Sequence, residues 1–390
     1  MFFVDEPYVS DFFKKTVQEN HLPVVNTEQA KKFALLPGTN WISEEQAILQ
    51  AKESRNLILY TTSENCIGWI AKNLAFSELP EKIELFKNKA RFRTFTQPLF
   101  PKFFFKEVGT EDLRSIRIDE LPSPFIIKPS VGFFSMGVHK VAGAKEWKDA
   151  INAIQAELKQ ITGLYPDEVL DTHSFIIEQC IDGDEFAIDA YFNSEGDPVI
   201  LNILHHTFSS DTDVSDRVYT TSKEIIESNL EEFTVFLDNI GQLAKVKNFP
   251  VHVELRRDKD GLLLPIEVNP IRFGGWCSTP DLSFMAYGTN PYLYYYEQKR
   301  PNWPEVLRGK EGKLFSVIIL DNSTGKTIEE ISSFDYEKLL LHFEKPFELR
   351  KIDYTQYPVF GFLFTETRAA NYKELKYILD SDLNEFISAL

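Results

Sequence analysis

Cysteine is scarce, positive charge is outnumbered and no long apolar run occurs, and each shortage removes a class of function. Cys66, Cys180 and Cys277 are the three cysteines of a 390-residue chain. They are too few and too widely spaced for a disulfide framework or a zinc site, and are expected as reduced thiols of a cytoplasmic protein. With 42 Lys and Arg against 59 Asp and Glu, the formal net charge is −17, so the chain lacks the basic footprint that a phosphate backbone demands. A few local cations could still hold a small anion. No apolar stretch approaches the roughly 20 residues that span a bilayer. The opening Met1-Phe2-Phe3-Val4-Asp5-Glu6 turns acidic too early for a secretory signal. Hydrophobic residues at 43% and charged residues at 26% are those of a globular chain, and the length predicts two or three domains or subdomains. The 33 Phe are expected as core filling.

Strand and helix patterns alternate through residues 1–95, which predicts an N-terminal α/β domain. Asn56–Tyr60 reads as an apolar strand, followed by the capping residues of Thr61-Thr62-Ser63-Glu64-Asn65. Phe125–Pro129 reads as a second buried strand. Trp147, Ile151, Ile154, Leu158 and Ile161 recur at helical spacing over 145–161. Strands are expected at Phe175–Ile181 and Glu185–Phe192 and a helix at Leu230–Leu243. Pro301-Asn302-Trp303-Pro304 reads as a linker. Beyond it, 301–390 reads as a small C-terminal α/β subdomain, with strands near 314–320 and 359–364 and helices near Tyr336–Phe343 and Tyr372–Ile387.

The most informative stretch is Val251–Leu255 and Pro265–Pro270 around Asp260-Gly261. Both runs alternate polar with apolar residues, and Asp-Gly is a strong two-residue hairpin signal. Such a turn sets Glu254 opposite Glu267 and His252 opposite Asn269, on one face and about 5 Å apart across the strands. Two carboxylates that close repel unless a cation or proton lies between them. With an Asn carbonyl beside them, the set suits Mg²⁺ and leaves room for phosphate oxygens. Either carboxylate alone would be an ordinary residue of a solvated hairpin. Arg272, in Arg272-Phe273-Gly274-Gly275-Trp276 just beyond the second strand, adds a cation that could face the bound phosphate or substrate.

Upstream, Lys128 ends a strand and opens a loop over 130–138 that carries Ser130, Gly132, Ser135 and Gly137. Such a loop lets backbone N–H groups approach phosphate oxygens. It fits neither the Walker A nor the dinucleotide glycine pattern, and alone it is a weak signal. Glu178 and Glu185 bracket a turn whose backbone at Ile181 could meet an adenine while a carboxylate meets ribose hydroxyls; by themselves they read as ordinary residues of a hairpin mouth. His205-His206 and Arg217 lie in a polar stretch that could contact a nucleotide or substrate, and no role is assigned to them.

In order, Lys89, Lys128, the Glu178/Glu185 pair and the Glu254–Glu267–Asn269 hairpin resemble the ATP-grasp superfamily over roughly residues 85–300. Arg272-Phe273-Gly274-Gly275-Trp276 is similar to a segment of its L-amino-acid ligases and carnosine-synthase-like relatives. The Glu-His pair that follows this Arg in biotin carboxylase, and the turn of D-alanine–D-alanine ligase, are missing. The resemblance implies an ATP-grasp fold, α/β and α+β. Its divisions would be an N-terminal domain at 1–95, an ATP-grasp domain at 96–300 (lid about 98–182, metal lobe about 183–300) and a C-terminal subdomain at 301–390. It implies ATP with Mg²⁺ or Mn²⁺ as cofactors, and a carboxylate–amine ligase working through an acyl-phosphate. Lys89 and Lys128 would hold phosphates, with Ser130, Ser135, Gly137, Glu178, Ile181 and Glu185 completing the ATP site. Glu254, Glu267 and Asn269 would hold the metal, and Arg272 would stabilise the developing oxyanion. His252 and Trp276 would face substrate, and loop 130–138 would close as a lid. Partners would be small-molecule carboxylates and amines, not nucleic acid or membrane, in an assembly compatible with a homodimer. Other ATP-grasp chemistry, such as carboxylation or carboxylate–thiol ligation, and a silent ATP-binding module are the competing readings.

Overall fold

Short parallel strands begin the chain. Phe2–Phe3, Val24–Val25, Trp41–Ile42 and Tyr60–Thr61 form one four-stranded sheet in the order 41–42, 24–25, 2–3, 60–61. The computed structural model describes residues 1–54, 56–132, 137–161, 173–210, 213 and 215–389, with the backbone alone for 157–161 and 389. Helices Asp11–Glu19 and Glu44–Glu53 connect these strands. The second begins at a Ser43/Gln46 capping box, so its first orphan N–H groups are satisfied locally. The strand expected at Asn56–Tyr60 is paired only over Tyr60–Thr61. Before that, the chain is held by the Met1 amino group donating to the Ile58 carbonyl at 2.6 Å.

The chain divides into two compact units. The first comprises Met1–Gly183, Ala190–Val199 and Val235–Cys277. Besides the parallel sheet it holds an antiparallel sheet, ordered Phe105–Gly109, Ser174–Gln179, Phe125–Pro129, His139–Val141. Helix Ala144–Ile161 covers this sheet, burying Ile151 and Ile154 with Trp147 packed beside them, as the apolar spacing predicts. Leu158 and Ile161 lie outside the described side chains. Two helices, Leu79–Lys87 and Lys89–Thr96, meet at Asn88. Its extended backbone breaks the first helix, and its side chain caps the second by accepting from the Arg91 N–H at 2.9 Å. That unit also contains the hairpin Phe249–Arg257 and Leu263–Pro270.

The second unit comprises Asp184–Asp189, Ile200–Thr234 and Ser278–Leu390. Antiparallel pairing runs from His205–Thr207 through Val218–Ser222, Lys313–Asp321 and Val359–Arg368 to Pro346–Lys351. Its core gathers Ile318, Leu320, Phe360, Leu363, Leu375 and Phe386. The helix expected at Tyr372–Ile387 ends at Asp380. Local polar side chains stop it: Ser381 Oγ accepts from the Leu383 N–H, and Asp382 accepts from the Asn384 N–H. Such bonds offer the backbone an alternative to the helix. Leu383 turns left-handed, and Ile387–Ala389 pairs instead with Ile331–Phe334.

Candidate active site

The hairpin brings Glu254 opposite Glu267 and His252 opposite Asn269, but by a different turn from the one predicted. The Asp258 N–H bonds to the Leu262 carbonyl and the Gly261 N–H to the Asp258 carbonyl, so three residues form the loop. Gly261 takes the left-handed position, with φ +84°. The longer loop shifts the register by one, pairing Leu255 with Pro265. A bulge between Glu254 and Leu255 then shifts it back. Glu254 and Glu267 thus face each other because two irregularities cancel.

This face is crowded with charge. Lys89 Nζ lies 2.9 Å from Glu267 Oε2 and donates to the Gly132 carbonyl at 3.2 Å. Asn269 Nδ2 donates to Glu267 Oε1 at 3.0 Å. Burial disfavours an ionised Glu267, yet Lys89, the Asn269 amide and Lys128 together hold its carboxyl well below the usual range. Burial opposes the Lys89 ammonium too; Glu267, Glu64 and Glu254 outweigh it and raise that group. His252 is buried, with Nε2 3.7 Å from Glu254. Among the described residues no three His, Cys, Asp or Glu side chains form a metal-binding group. The donors present are two carboxylates and an amide, all hard oxygen ligands.

Lys128 lies on the strand Phe125–Pro129, whose register places Ile126 opposite Glu178. Lys128 Nζ is 2.5 Å from Glu178 Oε1, while Arg93 Nε is 2.8 Å from Glu178 Oε2. Burial works against the Glu178 carboxylate, but Arg93 and Lys128 hold its pKa down to about 2. Burial lowers the Lys128 ammonium, and Arg93 and Lys89 lower it further against the pull of Glu178. Ser130 is fully buried, its carbonyl accepting from the Lys89 N–H at 2.8 Å, and its hydroxyl has no partner among the described residues. The Ile181 carbonyl accepts from Arg256 at 2.6 Å. Gly137 has a positive φ of 70°, and Ser135 lies outside the described residues. Glu185 belongs to the second unit, where its Oε1 is 2.7 Å from His206 Nδ1.

Arg272 is tied down. Its Nε and Nη2 lie 3.0 and 2.8 Å from Glu64 Oε1, and Nη1 donates to the Phe273 carbonyl. Glu64 also takes Lys87, so one buried carboxylate anchors two cations. Burial raises Glu64, but Lys87 and Arg272 outweigh it and keep its carboxyl low. Around Arg272 the left-handed backbone falls on Ile271, Trp276 and Cys277, and not on Gly275. Each such non-glycine residue costs on the order of 1–3 kcal/mol, and such strain clusters at functional sites. Trp276 is buried and stacks on Tyr8 with ring centroids 6.4 Å apart.

Three charged residues of this region were not singled out by sequence. Arg93 follows Lys89 by one helical turn, a spacing that places both on the buried helix face. Lys87 precedes Lys89 across the Asn88 break. Glu64 meets Arg272 across 208 residues of chain, and no local pattern announces that pair.

Comparison with known proteins gives these contacts a setting. Residues 121–280 match the model of the ATP-grasp domain family. Along its whole length the chain is similar in fold to the L-amino acid ligase of Bacillus licheniformis, at 19% identity, TM-score 0.71 and 98% of that chain. It is also similar to N5-carboxyaminoimidazole ribonucleotide synthetase of Thermotoga maritima (13%, TM-score 0.61, 100% of this chain and 99% of that one). A third similar structure is biotin carboxylase of Campylobacter jejuni (12%, TM-score 0.60, 100% and 92%). No curated protein matches the sequence.

Proposed function

We propose, from the premise that this chain is an ATP-grasp protein and so one of the ATP-dependent ligases, that it joins a carboxylate to an amine. The product would be an amide or peptide bond between amino-acid-like small molecules, formed through an acyl-phosphate, by a cytoplasmic enzyme whose thiols are reduced. In this reading residues 1–95 are the N-terminal domain, 96–300 the ATP-grasp domain and 301–390 the C-terminal subdomain. The observation that carries it is the hairpin face: Glu254 opposite Glu267, Asn269 beside them, Lys89 at 2.9 Å and Arg272 just past the strand.

The donor set fits a hard divalent cation. Glu254, Glu267 and Asn269 would hold Mg²⁺ or Mn²⁺ through oxygen, and the Lys89 contact is consistent with a cation being welcome on this face. Bound there, the metal neutralises charge on the transferring phosphoryl group. Lys89 and Lys128 hold the phosphates, with the backbone at Ser130 and Gly137 nearby in sequence, and Ile181 offers its backbone to the adenine. Phosphoryl transfer asks for alignment and charge neutralisation rather than a protein nucleophile. The γ-phosphoryl group passes to the substrate carboxylate, releasing ADP. The amine then attacks the acyl carbon, orthophosphate leaves and the amine proton passes to solvent. Arg272, oriented by Glu64 and the Phe273 carbonyl, faces the tetrahedral oxyanion. His252 and Trp276 border the substrate.

Amine ligation is favoured over carboxylation by the Arg272–Trp276 segment and by the absence of the Glu-His pair after Arg272. The test is phosphate release from Mg·ATP against pooled amino acids and small carboxylic acids. Release is expected to require two additives, with their condensation product seen by mass spectrometry. Release sustained by bicarbonate without a carboxylate–amine product would overturn the reading.

A further inference from the structure

We propose that Arg93 and Glu178 are positioning residues that fix where the Lys128 ammonium meets the phosphates of ATP, an inference that rests on the ligase reading. Both oxygens of Glu178 are already engaged, one by Arg93 and one by Lys128. Its side chain is 5% exposed, which leaves little surface for a ribose. Glu178 is therefore better matched to holding a cation than to touching a nucleoside.

Arg93 is the unusual member. Its side chain is 3% exposed, its Cζ lies 4.3 Å from the Phe103 ring centroid, and Nη1 and Nη2 are buried without hydrogen-bond partners among the described residues. A buried guanidinium left with two unmet nitrogens is expensive. Replacing a whole buried ion cluster by apolar residues of similar volume is often neutral or stabilising, so stability is a weak reason for the charge. The arrangement supplies a stronger one. Lys128 and Arg93 share a single carboxylate, so the cluster keeps one uncompensated positive charge for phosphate. Arg93, locked by the ring and by Glu178, stops the carboxylate from swinging fully onto Lys128.

Binding of Mg·ATP and of adenosine to wild type, Arg93→Met, Lys128→Ala and the double variant tests this. Arg93→Met is expected to weaken ATP about tenfold, within the range of couplings between contacting residues, and to leave adenosine unchanged. The double variant should bind ATP no worse than Lys128→Ala. Losses that add would overturn the proposal, because Arg93 would then act independently of Lys128. Glu178→Gln should retain ATP binding while kcat falls; equal losses for ATP and adenosine would make Glu178 a nucleoside contact and overturn it as well. Unaltered ATP binding by Lys128→Ala would overturn the parent reading of Lys128 together with this one, whereas additive losses sink this one alone. Should Arg93→Met fail to fold, Arg93→Lys keeps a buried cation without the guanidinium fork, and the same non-additivity is expected of it.

Discussion

Two buried arginines stand 4.3 Å from a phenylalanine ring centroid, one in each unit, and they are used differently. Arg350, over Phe364, spends its guanidinium on two carboxylates, Asp281 at 2.6 Å and Glu348 at 2.5 Å. Asp281 is further satisfied by the Tyr292 hydroxyl. Arg217 of the same unit is likewise spent, on Asp321, Ser323 and the Ile378 and Ser381 carbonyls. Arg93, over Phe103, engages Glu178 through Nε and leaves Nη1 and Nη2 unmatched among the described residues. Structural charges are satisfied where they are buried. A buried charge with unmet capacity is the kind of local exception expected where a site does chemistry.

The contrast can be broken most decisively at the hairpin. Glu267→Gln removes a proposed metal ligand and the partner of Lys89, and turnover measured as phosphate release should fall to background while the circular dichroism spectrum is retained. Near-normal turnover would remove Glu267 from the site. The next largest effect separates the two arginines. Arg350→Met leaves Asp281 buried without its main partner, a loss of about 3–5 kcal/mol, and thermal unfolding should move down by many degrees. Arg93→Met should lower the melting temperature less than Arg350→Met and ATP affinity far more. The reverse order would make Arg93 the structural residue of the two.

The smallest effect is in acid. Arg93 and Lys128 hold the pKa of Glu178 near 2, against an ordinary 4.5. Its carboxylate thus contributes stability that is fully present above about pH 4.5 and is lost as pH falls toward 2. Denaturant midpoints measured across that window should fall more steeply for wild type than for Glu178→Gln. Parallel curves would show that the pair adds nothing to acid stability.

Much of the site was legible locally. The alternation around Asp260-Gly261 predicts that Glu254 faces Glu267, even though a three-residue loop and a bulge replace the expected turn. Core-facing periodicity demanded that register, since a slip by one would turn every side chain to the wrong face. The helix expected at Tyr372–Ile387 was less legible, because short polar side chains at 381–382 competed for the backbone.

By itself the sequence determined what acts over a few residues: the hairpin, the amphipathic helix over Ala144–Ile161, the Asn88 cap that presents Lys89, and the order of motifs that resembles the ATP-grasp superfamily. Those features rest on periodicity and capping, which are written in neighbouring side chains. Only the tertiary structure decided who neutralises whom. Glu64 reaches Arg272 across 208 residues, and Glu178 reaches Arg93 across 85. Coulombic pairing in a desolvated interior depends on distance and burial, neither of which a linear pattern encodes.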